Sequence, residues 1–177
     1  IQYMMKDLLI LGASGAGREL YKMILECEGF NKDWKVKGFL DDNIHVLDQY
    51  SDYPPLIGKI QDYIIQENDV FTCSIGKADT KKKIINEILS RGGKFVKLIH
   101  PKAAIPDNLK TGEGVIISPF SIMTCDVKIG NFVTIQSYAV LGHDASVGDF
   151  GHIGAHAFLG GHVTLEENVT IHPGGIV

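Results

Sequence analysis

The C-terminal third of the sequence places an aliphatic residue or Met at every sixth position. Two residues before most of these positions the side chain is small or β-branched, as at Val127, Ala139 and Ala157. Two inward positions separated by one outward position are typical of a very short strand. The sixth positions run without a miss through Ile117, Met123, Ile129, Ile135, Leu141, Val147, Ile153, Leu159, Leu165, Ile171 and Val177.

Strands that turn at every hexad predict a hexapeptide β-helix, a solenoid in which each turn buries its apolar side against its neighbours. Three successive hexads make one coil. A glycine often follows the aliphatic residue, where a tight corner is expected to need a small or conformationally permissive residue. An amphipathic helix would need a period of about 3.6 residues, which this segment lacks. The corner glycines are Gly130, Gly142, Gly148, Gly154 and Gly160.

The N-terminal part alternates short apolar runs with helical patterns, which indicates an α/β unit with a parallel sheet. The predicted strands are 8–11, 35–40, 70–75 and 95–99, and the predicted helices are 18–27 and 80–91. We therefore expect an α/β domain over 1–99, a linker rich in Pro and Gly over 100–114, and the β-helix over 115–177.

The first predicted strand leads into a glycine-rich loop, 12–17, just before a helix. Such a loop can hold a phosphate at the helix N-terminus. Its G-x-x-G-x-G spacing differs from the dinucleotide pattern G-x-G-x-x-G, so a purely structural glycine turn remains the alternative. Asp41 and Asp42 end the second strand, where carboxylates of open α/β sheets can bind a ribose hydroxyl, or else lie in a solvated loop.

Composition excludes several classes of protein. The chain has 177 residues, 17 basic and 21 acidic, and its net charge of −4 disfavours a nucleic-acid binder. No apolar run is long enough to span a membrane, and Lys6 and Asp7 interrupt any signal-peptide core. Three widely spaced cysteines suit a reducing compartment. We expect a soluble, cytoplasmic protein.

Five of the seven histidines fall after residue 142, and one of them stands out. His143 follows an inward aliphatic residue by two positions, so it lies at an outward corner, and the adjacent Asp144 could orient its imidazole as a general base requires. Gly161 comes three hexads later, which is one full coil, and should stack on His143 with its backbone N–H available to an oxyanion. His152 is expected on another face. His156, His162 and His172 are interpreted as exposed polar residues.

Together these motifs resemble the bacterial sugar O-acyltransferases of the sialic acid O-acetyltransferase type, a family that includes nucleotide-amino-sugar N-acetyltransferases. The resemblance covers nearly the whole chain. It rests on Gly12-Ala-Ser-Gly15-x-Gly17-Arg18, Gly38-Phe-Leu-Asp41-Asp42, Pro55-Leu-Ile-Gly58, Ser74-Ile-Gly76, Ile99-His100-Pro101, His143-Asp144, Gly148-Asp149-x-x-His152 and Leu159-Gly160-Gly161.

The resemblance implies a left-handed β-helix and a homotrimer with active sites between subunits. It implies acetyl-CoA as donor and a nucleotide sugar or sugar acid held by the N-terminal domain, with no metal. By position, His143 matches the general base and Asp144 its acidic partner. His152 matches the residue near the acetyl carbonyl, and Gly161 the backbone donor. The nucleotide-side contacts match Gly12, Ser14, Gly15, Asp41 and Asp42.

The implied mechanism is direct acyl transfer, since no cysteine lies near His143 in the sequence to form an acyl-enzyme. Many N-acetyltransferases of the family have His where this chain has Ala16, so the acceptor can be an amine or a hydroxyl. A second departure is His172-Pro173-Gly174.

Two other functions fit the same fold. One is a zinc enzyme resembling γ-class carbonic anhydrases, with His152, His156 and His162 as ligands. The other is a non-catalytic subunit that binds a nucleotide sugar. The hexad pattern is still in phase at Val177, so we also expect further coils and a capping segment beyond the given sequence.

Overall fold

A computed structural model describes residues 5–177, and the chain divides into two compact units after Val96. The first unit is a four-stranded parallel sheet in the order β3-β2-β1-β4, with two helices. The central strand is fully buried from Leu8 to Leu11, as a near-continuous apolar run in a parallel sheet should be. Its elements are β1 (Lys6–Leu11), α1 (Gly15–Ile24), β2 (Trp34–Leu40), β3 (Leu56–Gly58), β4 (Asp69–Cys73) and α2 (Ala78–Ser90).

The predicted α/β unit is confirmed, with two differences in its elements. Strand β3 was not expected, because it is very short and follows Pro54 and Pro55. The strand expected at 95–99 is divided: Phe95 makes an isolated parallel bridge with Phe71 of β4, whereas residues 98 and 99 pair with residues 116 and 117.

The second unit is a left-handed parallel β-helix of very short strands, as predicted. Each strand pairs in parallel with the strand one coil away, as Thr134 does with Ile116 and His152. Its strands are β5 (Leu98–Ile99), β6 (Lys110–Thr111), β7 (Ile116–Ile117), β8 (Ile122–Met123), β9 (Lys128–Ile129), β10 (Thr134–Ile135), β11 (Val140–Leu141), β12 (Ser146–Val147), β13 (His152–Ile153), β14 (Phe158–Leu159), β15 (Thr164–Leu165) and β16 (Thr170–Ile171).

The strands form three faces of the solenoid. Face 1 contains β5, β7, β10, β13 and β16; face 2 contains β8, β11 and β14; face 3 contains β6, β9, β12 and β15. The hexad aliphatic residues from Ile117 to Leu165 are buried, and the small residues before them pack into the same core. This core is the one that the hexad period predicts.

The corners of the solenoid are made differently from the sequence expectation. From Phe120 to Asn168 the left-handed backbone falls on one non-glycine residue in each hexad, with φ between 56° and 65°, while Gly114 and Gly174 hold the same position in the flanking hexads. The glycine after the aliphatic residue instead allows the backbones of neighbouring coils to approach closely. A Cβ at Gly142 would lie 2.7 Å from the Gly161 nitrogen of the next coil, so only glycine fits there. The left-handed corner residues are Phe120, Asp126, Phe132, Tyr138, Asp144, Phe150, His156, His162 and Asn168.

Residues 100–114, expected as a linker, instead contribute to the first coils of the solenoid. Strand β6 pairs with β9, and Leu109 packs against the solenoid core. Proline and glycine in this segment therefore mark solenoid corners and not a flexible connection.

Within residues 5–177, the structure contains no helix with both the length and the apolar character that crossing a bilayer requires.

Candidate active site

His143 and Asp144 form the polar centre of one solenoid corner, directly after β11 on face 2. The Nδ1 atom of His143 lies 2.9 Å from Oδ2 of Asp144. Adjacent side chains on a strand diverge, but Asp144 has a left-handed backbone (φ 59°), which turns its carboxylate back toward the imidazole. The corner thus brings together the two residues that the sequence singled out.

The hydrogen bond from His143 is the main reason that the pKa of the Asp144 carboxyl lies below its ordinary value. Partial desolvation opposes this effect, while the charges of His162, His143 and Lys128 add to it. The carboxylate is therefore the form that faces the imidazole at neutral pH. An ionised carboxylate on Nδ1 holds the proton there and leaves Nε2 with a free lone pair.

Gly161 lies one coil on from His143, as the three-hexad spacing predicts. A Cβ at Gly161 would come within 2.5 Å of His143 Nε2, so the imidazole lies directly against this glycine. The backbone N–H of Gly161 donates to no acceptor among residues 5–177. A free N–H donor therefore lies beside the nitrogen that can accept a proton.

His162 belongs to the same cluster, although the sequence predicts only an exposed polar residue at this position. Its ring meets the His143 ring edge to face at a centroid distance of 4.9 Å, and its Nε2 lies 3.8 Å from Asp144 Oδ2. The coil register could have revealed this contact, because His162 occupies the Asp144 corner position in the following coil.

Cys125 is a second neighbour of His143 that no sequence motif indicates. The Asp144 N–H donates to the Cys125 carbonyl at 3.1 Å, which places Cys125 one coil before His143, with its thiol exposed. The expectation that no cysteine lies near His143 holds along the chain but not across the coils.

The remaining histidines are separated from this corner within the chain. His152 lies on face 1 in register with Thr134 and Thr170. His156 stacks on Tyr138 at a centroid distance of 4.9 Å. The three residues considered as zinc ligands, His152, His156 and His162, therefore lie on a face and at two different corners.

The glycine-rich loop of the first unit occupies a position where open α/β sheets bind ligands. The chain adds β2 and β3 on one side of β1 and then β4 on the other, so the strand order reverses beside β1. Gly12 follows β1 with a positive φ of 94°, and Ser74 follows β4. The Ser74 hydroxyl contacts the carbonyls of Leu11 and Gly12 at 3.0 and 3.1 Å, which fixes the loop.

The exposed residues Ser14 and Gly15 begin helix α1, and the Ser14 side chain makes no capping hydrogen bond. The first turn of the helix is therefore not capped by its own serine. Such a helix start leaves N–H donors that suit an anion.

The two aspartates after β2 play different structural parts. Asp41 accepts hydrogen bonds from the N–H groups of Ala13 (2.8 Å) and Asn43 (2.9 Å), so its carboxylate ties the glycine-rich loop to β2. Asp42 is exposed and has only a 3.4 Å contact with the N–H of Ile60. Asp42 is thus the carboxylate with more freedom to meet a ligand.

Comparison with known families places this arrangement in a recognised class. Residues 7–88 match the family model of the PglD N-terminal domain, and residues 126–161 match the bacterial transferase hexapeptide model of six repeats. These matches confirm the expected resemblance to hexapeptide-repeat transferases, here with an N-terminal domain similar to that of PglD.

Solved structures with the same fold cover almost the whole chain. The acetyltransferase domain of PglB from Neisseria gonorrhoeae is 22% identical, with a TM-score of 0.71, and the match covers 97% of this chain and 91% of that one. WeeI from Acinetobacter baumannii is 21% identical (TM-score 0.73, 98% and 92%).

PerB from Caulobacter crescentus, solved in complex with CoA and GDP-perosamine, is 19% identical (TM-score 0.67, 98% and 89%). None of the curated proteins compared with the chain matches it. At these identities the likeness establishes the fold, an α/β unit followed by a β-helix.

Proposed function

We propose that this protein is an acetyl-CoA-dependent acetyltransferase that modifies an amine or hydroxyl of a nucleotide sugar or sugar acid, in the cytoplasmic stage of bacterial surface-glycan synthesis. The observation that carries the proposal is the corner at which Asp144 holds His143 Nδ1 while Nε2 faces Gly161. A base with a fixed tautomer beside a free N–H donor is the minimum equipment for acyl transfer.

The proposed reaction is a direct transfer. His143 Nε2 takes the proton of the acceptor amine or hydroxyl as its nitrogen or oxygen attacks the thioester carbonyl carbon. The Gly161 N–H stabilises the oxyanion of the tetrahedral intermediate. The C–S bond then breaks, and the leaving thiolate takes the proton from the His143 imidazolium. Asp144 stays ionised throughout and stabilises the imidazolium.

Related structures support the proposed donor and acceptor classes. PerB was solved with CoA and GDP-perosamine, and the PglB domain was solved with acetyl coenzyme A. A CoA thioester supplies an activated acyl group, so the protein needs only to orient it and remove a proton. Because position 16 is alanine, the proposal includes both an amine and a hydroxyl as the acceptor group.

The first unit would bind the nucleotide part of the acceptor. The glycine-rich loop, the uncapped start of α1 and the exposed Asp42 lie at the strand-order reversal, where a phosphate and a ribose hydroxyl find their partners. This assignment makes the backbone N–H groups of Ser14 and Gly15 the phosphate contacts. Gly12, whose own N–H donates to the Leu40 carbonyl at 2.9 Å, contributes the positive φ that shapes the loop.

We propose a homotrimer in which face 2 is covered by another copy. Its outward positions are apolar: Ile122 and Phe158 are 44% and 45% exposed, and Val140 lies between them. Face 3 instead presents Lys128, Ser146 and Thr164. Exposed apolar patches of this kind mark interfaces.

His143 lies two residues after β11 of face 2, so a copy that covers this face would lie close to the proposed general base. This position is in keeping with an active site between subunits, in which His152 of face 1 is assigned to the acetyl carbonyl.

A thiol-release assay tests the function. The wild-type chain is incubated with acetyl-CoA and a panel of uridine, cytidine, guanosine and thymidine diphosphate amino sugars, and free CoA is measured. Replacing His143 with Ala should lower kcat by about 10²- to 10⁴-fold. His172→Ala is the matched control, an exposed histidine of the same solenoid.

Unchanged turnover in folded His143→Ala protein would remove His143 as the base. Binding of the nucleotide sugars without CoA release by the wild type would instead support the non-catalytic alternative.

A further inference from the structure

We propose that His143, Asp144 and His162 form a binding site for a divalent transition-metal ion of the Zn²⁺ class, and that the bound ion blocks the base. Each of these three side chains offers one metal-ligating atom, and the three atoms all lie within 4.8 Å of one another. The ion is not a cofactor of the transfer but an inhibitor of it.

The donor set fits such an ion. Two imidazole nitrogens and one carboxylate oxygen are the ligand types of catalytic zinc sites, which keep a fourth position open. Ligands on a tetrahedral zinc ion lie about 3.3 Å apart at ordinary bond lengths. Asp144 Oδ2 lies 2.9 Å from His143 Nδ1 and 3.8 Å from His162 Nε2, so a small rotation of the exposed side chains brings them to that spacing.

The backbone holds the ligands at this spacing. The His162 N–H donates to the His143 carbonyl at 2.9 Å, and Asp144 and His162 occupy the same left-handed corner position in successive coils. The side chains are 46–74% exposed, so the ion reaches them without local unfolding. The site is therefore preorganised and accessible.

Occupation of the site blocks the base whichever imidazole nitrogen of His143 is the ligand. If Nδ1 binds the ion, the ring proton moves to Nε2, which can then only donate. If Nε2 binds the ion, its lone pair is no longer available. In both cases the proton acceptor required by the proposed function is lost.

Metal binding can be measured without any assay of activity. Chain freed of metal with EDTA is dialysed against micromolar Zn²⁺, and bound zinc per chain is quantified. We expect one zinc per chain, and at least tenfold weaker binding in His162→Ala. His172→Ala should bind as the wild type does. Mg²⁺ should not compete, because it prefers oxygen ligands.

The neighbouring thiol needs its own control. Cys125 is exposed one coil before His143, and thiolates bind zinc. Zinc binding retained in Cys125→Ser supports the histidine site. Zinc binding lost in Cys125→Ser but kept in His162→Ala overturns it, as does an absence of bound zinc in the wild type.

Inhibition is the second readout, and this part alone rests on the proposed function. CoA release should fall with added Zn²⁺ and recover with EDTA, and His162→Ala should need at least tenfold more Zn²⁺ for the same inhibition. Zinc binding without inhibition supports the site and contradicts His143 as the base, so the two proposals fail separately.

Discussion

A Cβ on Gly161 would lie 2.5 Å from Nε2 of His143 in the preceding coil, so this glycine leaves the space that the imidazole occupies. Gly161→Ala should therefore displace the ring and lower kcat by about 10- to 10²-fold, as expected for a misplacement of about 1 Å. The backbone at Gly161 is not left-handed, so alanine itself is tolerated.

The measurement is kcat together with the melting temperature. Gly160→Ala is the control, because its nearest contact would be 3.3 Å, at the Val177 carbonyl. Equal activity in the two variants would show that His143 does not need its present position.

Asp144→Asn tests the orientation of the base. Asparagine adopts the left-handed backbone at this corner, but it can donate to Nδ1 and so favour the wrong tautomer. We expect a loss in kcat of about 10²-fold with little change in stability, because the carboxylate is exposed. Steady-state kinetics on the variant measures this loss.

Asp126→Asn is the matched control for Asp144→Asn, since Asp126 occupies the same corner one coil earlier and pairs with Asn108 at 2.8 Å. A comparable loss in both variants would point to a general electrostatic effect.

Substitutions of the two aspartates after β2 should have different effects on nucleotide binding and on stability. Asp42→Asn should weaken binding of a nucleotide diphosphate sugar without changing the melting temperature, because Asp42 has only one long contact. Asp41→Asn should lower both the affinity for the nucleotide sugar and the melting temperature, since the two hydrogen bonds of Asp41 fix the glycine-rich loop. Titration calorimetry and thermal melts on both variants distinguish them, and unchanged binding in both would exclude this loop as the nucleotide site.

Phe158→Asp should dissociate the proposed trimer. The substitution places a charge within the apolar outward row of face 2, where burial against another copy would desolvate it. Light scattering after size exclusion should give the mass of a monomer. Thr164→Asp, at an outward position of face 3, is the control and should keep the wild-type mass. A trimer in the Phe158→Asp variant would show that another face forms the interface.

Lys81 should make stability depend on pH. Burial lowers its pKa to about 8 from 10.5, although the charge of the nearby Cys73 opposes the shift. The unfolded chain then binds more protons than the folded chain between pH 8 and 10.5, so this group makes folding more favourable as pH rises through that window. Below pH 8 the cost of burying the charge is fully present.

Lys81→Met removes this titration. The difference in unfolding free energy between wild type and variant should shift in favour of the wild type between pH 8 and 10.5. Denaturant titrations at several pH values measure it. The comparison also cancels the contribution of Cys27, whose pKa is raised to about 11 by burial and which acts in the opposite sense. A pH-independent difference would contradict the lowered pKa.

The sequence by itself determined the solenoid and the stacking of Gly161 on His143. The hexad period is a local property, and in a solenoid each coil packs only on its neighbours, so the period fixes both the core and the register between coils. For this reason the stacking of Gly161 on His143 could be predicted. The same register applied to Cys125 and His162 would have placed them at the corner too.

Only the tertiary structure decided features that depend on non-local pairing or on side-chain direction. The sequence predicts one strand of the N-terminal sheet over 95–99, but residues 98 and 99 pair with the solenoid. Local propensity does not determine the partner of a strand, because the partner lies in a distant segment of the chain. The contact of Asp144 with His143 depends on a left-handed backbone at Asp144. No sequence motif predicts this backbone conformation. Likewise Asp41 and Asp42 are equivalent in sequence, and only the position of the Ala13 N–H gives one of them a structural hydrogen bond and leaves the other exposed.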